Sequence, residues 1–175
     1  MSTDLRLTTL LLLVFSFALP LQALELEDFN GKSASIEEYT GKGKWLVVMI
    51  WAHDCHVCNQ EASNYDFFHD AYKDKTASVL GISIDGVANK AKAQAFITRH
   101  NLSFPNLIGN SFEFKQMFNE ISADFAQAGW QAMPTPGFLI YNPKGKLVVQ
   151  EIGAVPVTLI EAYIERNSNA AGNQG

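Results

Sequence analysis

Seven consecutive apolar residues, Trp45-Leu46-Val47-Val48-Met49-Ile50-Trp51, run without a break into Ala52-His53-Asp54-Cys55-His56-Val57-Cys58. An unbroken apolar run of this length reads as a strand buried on both faces, which requires a sheet covered by helices. Beyond it, Ala62, Tyr65, Phe68 and Tyr72 recur at three- and four-residue intervals, predicting a helix from about Cys55 to Lys73 with one face inward. The chain's two cysteines therefore fall where a buried strand becomes a helix, three residues apart. That spacing brings both sulfurs to one helical face within bonding reach. The free N–H groups and dipole of a helix start favour a thiolate on Cys55. A thiolate attacks disulfides, and Cys58, one turn deeper, can then attack the mixed disulfide and release the product. Thiol–disulfide exchange is the expected chemistry.

A rival reading uses the same string. His53 and His56 flank Cys55, and thiolates with imidazoles suit soft metals, so His-x-Cys-His-x-Cys would serve a copper- or zinc-binding module. A closed zinc site needs four converging ligands, and no second C-x-x-C or H-x-x-x-H accompanies the first. Ligands one and two residues apart cannot all face one ion from a regular helix. No metal ligand is therefore assigned, and His56 is taken as a tuner of the sulfur pair, because imidazole charges near neutral pH. Asp54 reads as the N-cap of the helix. Its carboxylate also opposes a thiolate on Cys55, so it belongs with the redox-tuning residues. Glu61 lies three residues after Cys58, on the same face. On spacing alone, a single glutamate is a solvated surface residue.

The rest of the chain sets the frame. With 175 residues, 47% hydrophobic and 18% charged, it has the size and composition of one globular domain. A formal charge of −5 and the lack of any basic stretch exclude nucleic acid as the main partner. Leu10 to Leu19 is an apolar run too short to span a bilayer, ending at Pro20 and Leu21-Gln22-Ala23. It reads as a cleaved secretory signal over residues 1–23. The domain is then 24–167, and the small polar stretch 168–175 is expected to be a disordered tail.

Between these limits strands and helices alternate. Leu24–Glu27, the Asn30-Gly31 turn and Ser33–Ser35 suggest a hairpin, followed by a helical turn at Ile36–Tyr39. Val79–Ile84 reads as a second buried strand and Ala88–His100 as a helix. Phe104–Phe125 is aromatic-rich and ambiguous in period, and includes a short helix around Phe114–Phe118. Phe138–Tyr141 and Leu147–Val149 form a hairpin, and a last helix opens at Pro156 with Val157, Ile160 and Ile164 inward. The order predicts an α/β sandwich with a mixed sheet.

Three ordered motifs then carry a resemblance. The Asn30-Gly31-Lys32 turn, the W-A-x-x-C-x-x-C-x-x-E string from Trp51 to Glu61, and Met133-Pro134-Thr135 before Phe138-Leu139-Ile140 resemble the TlpA/ResA-like branch of the thioredoxin superfamily. These are exported thiol–disulfide oxidoreductases. The resemblance implies a thioredoxin-like fold, with a mixed central sheet flanked by helices, an N-terminal β-hairpin and a helical insertion between Ala88 and Phe125. It implies that Glu61 is the family's active-site glutamate. Pro134 then matches the cis-proline facing the cysteines, and Met133, Pro134 and Thr135 border the substrate backbone. The chain departs from the family in having Asp54 before the first cysteine and His56-Val57 between the two. The peroxidase branch nearby wants Thr or Ser three residues before its cysteine, where this chain has Ala52. What the resemblance implies is a periplasmic reductase of protein disulfides with no organic cofactor, supplied with electrons by a DsbD-like membrane donor.

Overall fold

A computed structural model describes residues 24–172. The expected signal segment, 1–23, lies outside the described residues. Among them, no helix is long and apolar enough to cross a membrane.

The buried strand predicted from the apolar run is β3, Trp45–Trp51, and every one of its residues is buried. It lies inside a seven-stranded sheet of order β2-β1-β5-β4-β3-β6-β7. The other strands are β1 (Leu26–Asp28), β2 (Ser33–Ala34), β4 (Ala77–Ser83), β5 (Asn106–Ile108), β6 (Gly137–Tyr141) and β7 (Leu147–Ile152). Strands β3, β4 and β5 run parallel, while the hairpin β1–β2 and the pair β6–β7 join them antiparallel. The mixed α/β sheet is as the sequence predicts.

Side chains alternate across a strand, so β3 feeds two cores. Trp45, Val47, Met49 and Trp51 face a cluster with Tyr65, Phe68, Phe96, Ile160 and Ile164. These come from α1 (His56–Tyr72), α2 (Lys90–His100) and α5 (Val157–Gly172). Leu46, Val48 and Ile50 face the other cluster, with Phe114, Phe118 and Phe125 from α3 (Ser111–Ile121) and α4 (Ala123–Gln127). The rings of Trp51 and Phe96 stack at 4.2 Å, and those of Tyr65 and Phe138 at 5.0 Å.

One expectation is extended and another corrected. The helix expected around Phe114–Phe118 is present as the longer α3, and the ambiguous stretch 104–125 also holds strand β5 and the start of α4. Only three residues of β5 pair, too few for an alternation to show. Helix α5 also continues through Ser168 to Gly172, where a disordered tail was expected from 168. The Trp45 indole donates to Ser168 Oγ at 3.0 Å, which ties this end of the helix to the sheet.

His69, on α1, is buried, and its Nδ1 accepts the Val79 backbone N–H at 3.0 Å. Burial, with Lys73 adding to it, lowers the pKa of this imidazole. A lowered folded-state pKa means the unfolded chain takes the proton first as the pH falls. The stability from neutral His69 is therefore complete above about pH 6.5 and is lost on acidification towards its folded pKa. His69→Asn, whose Oδ1 can stand in for Nδ1, should flatten the fall of melting temperature below pH 6.5. An unchanged slope would refute this role.

Candidate active site

Cys55 and Cys58 form a disulfide, with Cα atoms 5.2 Å apart. They open α1 as the sequence predicts, but the N-cap is Cys55 itself, whose Sγ accepts the Cys58 backbone N–H at 3.1 Å. Asp54, expected at that cap, instead sits exposed in the turn before it. The correction has a chemical consequence. The orphan N–H that a capping carboxylate would take is aimed at the first sulfur, where it favours a thiolate on reduction. Cys58 is fully buried, whereas Cys55 is partly exposed. His56 is exposed at the start of the helix.

Glu61, one turn beyond Cys58, is half-buried and accepts from Asn64 Nδ2 at 3.1 Å. It stands at the edge of a groove of about 600 Å³ between α1 and the start of α5, whose walls include Phe67, Pro156 and Glu161. Its neighbour Tyr65 is buried and donates to Val155 O at 2.6 Å. Burial, helped by the Glu61 charge, pushes the Tyr65 phenol far up, so it remains a neutral donor.

The loop before β6 reaches the site through sheet register. Gly137 pairs with Ile50 across the antiparallel ladder, which sets Pro136 beside Trp51 and the turn that leads to Cys55. The cis bond in this loop is Thr135–Pro136, not Met133–Pro134 as expected. With prolines at 134 and 136, the motif alone did not say which one occupies the end of the strand. Met133 is buried in the core, and its N–H donates to Ser111 Oγ at 3.0 Å. Pro134 and Thr135 are half-exposed.

Two polar residues that the sequence reading passed over hold the active-site turn. Parallel pairing sets Trp51 beside Ser83, so two residues further on His53 meets Asp85. The Asp85 carboxylate takes the His53 backbone N–H at 3.0 Å and lies 2.6 Å from His53 Nδ1. From the other side, Asn59 Nδ2 donates to His53 O at 3.3 Å and Cys55 O at 2.9 Å. Asn59 Oδ1 is itself engaged by Arg99 and His100 at the end of α2. Asp85 follows Ser83-Ile84 at the carboxyl end of a buried parallel strand, where ligand-facing residues of such sheets collect, and that was the available signal. Among the described residues, the one trio of metal-ligating side chains close together is His53, Asp54 and Asp85. The string His53, Cys55, His56 and Cys58 is not drawn to one point: its sulfurs bind each other and His53 Nδ1 is engaged by Asp85.

Residues 18–150 match the model of the AhpC/TSA family. The chain belongs to the AhpC/TSA family. Within it, the chain is similar to the thiol–disulfide oxidoreductase ResA of Halalkalibacterium halodurans, 26% identical over 142 residues, 80% of this chain and 70% of that protein. It is also similar to peroxiredoxin Bcp of Bacillus subtilis, 27% identical over 128 residues, 71% of this chain and 77% of that protein. A thiol:disulfide interchange protein of the thioredoxin family from Chlorobium tepidum superposes with a TM-score of 0.62 at 14% identity, over 82% of this chain and 92% of that one. The thioredoxin-like fold and the TlpA/ResA-like resemblance are thus borne out, and this AhpC/TSA chain is a thiol–disulfide oxidoreductase.

Proposed function

We propose that the chain is an exported reductase of protein disulfides, working in the periplasm and recharged by a DsbD-like membrane donor. The observation that carries the exchange chemistry is the asymmetry of the pair: a half-exposed Cys55 whose sulfur receives a helix-start N–H, above a buried Cys58. Cys55 attacks the substrate disulfide and Cys58 resolves the mixed disulfide. Asp54 and His56, both exposed beside Cys55, are the residues that tune it. Met133, Pro134 and Thr135, in the loop before β6, border the substrate backbone, with the half-exposed Pro134 and Thr135 available to it and Met133 supporting them from the core. Export rests on the apolar run before Ala23. The electrons stay on the two sulfurs, so the exchange calls for no organic cofactor.

The deciding measurement is the reduction potential of the purified domain against glutathione, together with reduction of insulin disulfides. A potential on the reducing side of glutathione supports the reductase. One near that of strong protein oxidases would reverse the direction of flow. Consumption of hydrogen peroxide at a comparable rate would move the chain towards its peroxiredoxin relatives. Nanomolar, stoichiometric copper or zinc binding by the reduced protein would favour the metal-binding alternative.

Glu61 takes the proton that the Cys58 thiol loses on resolving. Its half-buried place one turn further along the same helix suits that task. Glu61→Gln should slow the resolving step by roughly tenfold or more in stopped-flow exchange, with the melting temperature nearly unchanged. Unaltered resolution would return Glu61 to the surface.

A further inference from the structure

We propose that His53 and Asp85 form a second proton-handling pair, serving Cys55 as Glu61 serves Cys58. His53 is the proton acceptor and Asp85 its positioning residue. The inference rests on the exchange chemistry proposed above. The Asp85 side chain is only 4% exposed, and Ser83 Oγ donates to its Oδ2 at 2.6 Å while His53 Nδ1 sits on Oδ1. A carboxylate only accepts, so Nδ1 carries a hydrogen and the lone pair of neutral His53 lies on Nε2. That ring is 24% exposed, open enough to exchange protons. A hydrogen bond from Cys55 N–H to Ala52 O at 3.2 Å closes residues 52–55 into one turn, with His53 and Cys55 both inside it. Such a turn keeps the Cα atoms of Ala52 and Cys55 within about 7 Å and so sets His53 and Cys55 side by side at the head of the helix. From that placement the imidazole serves the sulfur directly or through one water. A turn anchor alone would need only the His53 backbone. Here the buried carboxylate also fixes the ring and its tautomer, the arrangement that activates nucleophiles in hydrolase triads.

The step balances without a further reagent. The Cys55 thiol gives its proton to His53 Nε2 as its sulfur attacks the substrate disulfide. The S–S bond of the substrate breaks, a Cys55–substrate disulfide forms, and the departing thiolate takes the proton back from His53. When Cys58 attacks Cys55 the second substrate sulfur leaves as a thiol, so the substrate gains two electrons and the cysteine pair loses two. The titratable and charged groups around His53 are Asp85 after β4, Asp54, Cys55 and His56 in its own segment, and, across Asn59, Arg99 and His100 from α2.

The test uses Cys58→Ser protein, in which Cys55 is the one thiol, and follows its alkylation by iodoacetamide from pH 5 to pH 10. His53→Gln should lower the rate at pH 6–7 by roughly tenfold or more and leave it unchanged near pH 9.5, where the thiol ionises without help. Asp85→Asn should give the same pH-selective loss. Superimposable profiles, or a loss equal at every pH, would overturn the proposal. In the unsubstituted protein, nitrogen NMR should find neutral His53 protonated on Nδ1, and protonation on Nε2 would overturn it even if the variants fail to fold. A pH-selective loss in a protein that reduces no disulfide would sink the reductase reading and spare the dyad. Normal insulin reduction with unaltered His53→Gln profiles would do the reverse.

Discussion

Cys58→Ser protein, mixed with a disulfide-bearing substrate, should accumulate a covalent adduct through Cys55, whereas Cys55→Ser should give none and lose exchange to background. The reason is access combined with electrostatics. Cys58 is sealed beneath the first turn of α1, and no partner sulfur can line up with it. Cys55 is half-exposed, and its sulfur already receives the N–H that would stabilise its anion. Serine at 58 keeps the turn and removes the resolving thiol, so the mixed disulfide persists. Non-reducing electrophoresis and peptide mass analysis read the result. An adduct formed through Cys58 in the Cys55→Ser protein would overturn the order of events.

The second large effect lies in the sheet. Gly81 sits in β4, paired with Met49 on one side and Asn106 on the other. A Cβ there would overlap Asn106 Oδ1 and stand 2.9 Å from Phe104 Cε2. Asn106 cannot easily swing away, because its Oδ1 accepts from the Trp51 indole at 3.2 Å and its Nδ2 donates to Phe104 O at 2.9 Å. Gly81→Ala must therefore either distort the strand or break the indole bond and leave buried polar groups unpaired. Together these cost about 3 kcal/mol. For a domain of this size that is a fall in melting temperature on the order of 10 °C. Adding Asn106→Gly should recover part of the loss by removing the overlap, though the indole N–H stays unpaired. A neutral Gly81→Ala would show that the strand yields more than its two ladders suggest.

Periodicity made β3, β4, α1 and the β6–β7 hairpin legible, because each has enough residues for its apolar spacing to register. It failed at β5, whose pairing is conferred by neighbours on both sides rather than by its own three residues. The cysteine pair was legible because its chemistry is local. Asp85 and Asn59 were not, since their roles exist only once the ladder sets β4 beside β3 and once α2 packs on α1. The proline shift has the same origin: Met133-Pro134-Thr135-Pro136 contains two candidates, and only the Ile50–Gly137 pairing decides which one meets the active-site turn. Capping preference alone favours Asp54, but the Cys55 sulfur competes for the same N–H and takes it.

The two margins of the sheet differ in how they meet solvent. At one side β2 ends the ladder after two residues, too short a template for another chain's backbone to continue it. At the other, β7 is six residues long and carries Gln150 and Glu151 opposite Leu139 and Phe138. Polar and charged side chains on that strand discourage a stranger from docking edge to edge. A thiol–disulfide oxidoreductase works close to other protein chains, and such margins suit that contact. It can engage a partner's sulfur while offering its backbone little chance of being drawn into an aggregate.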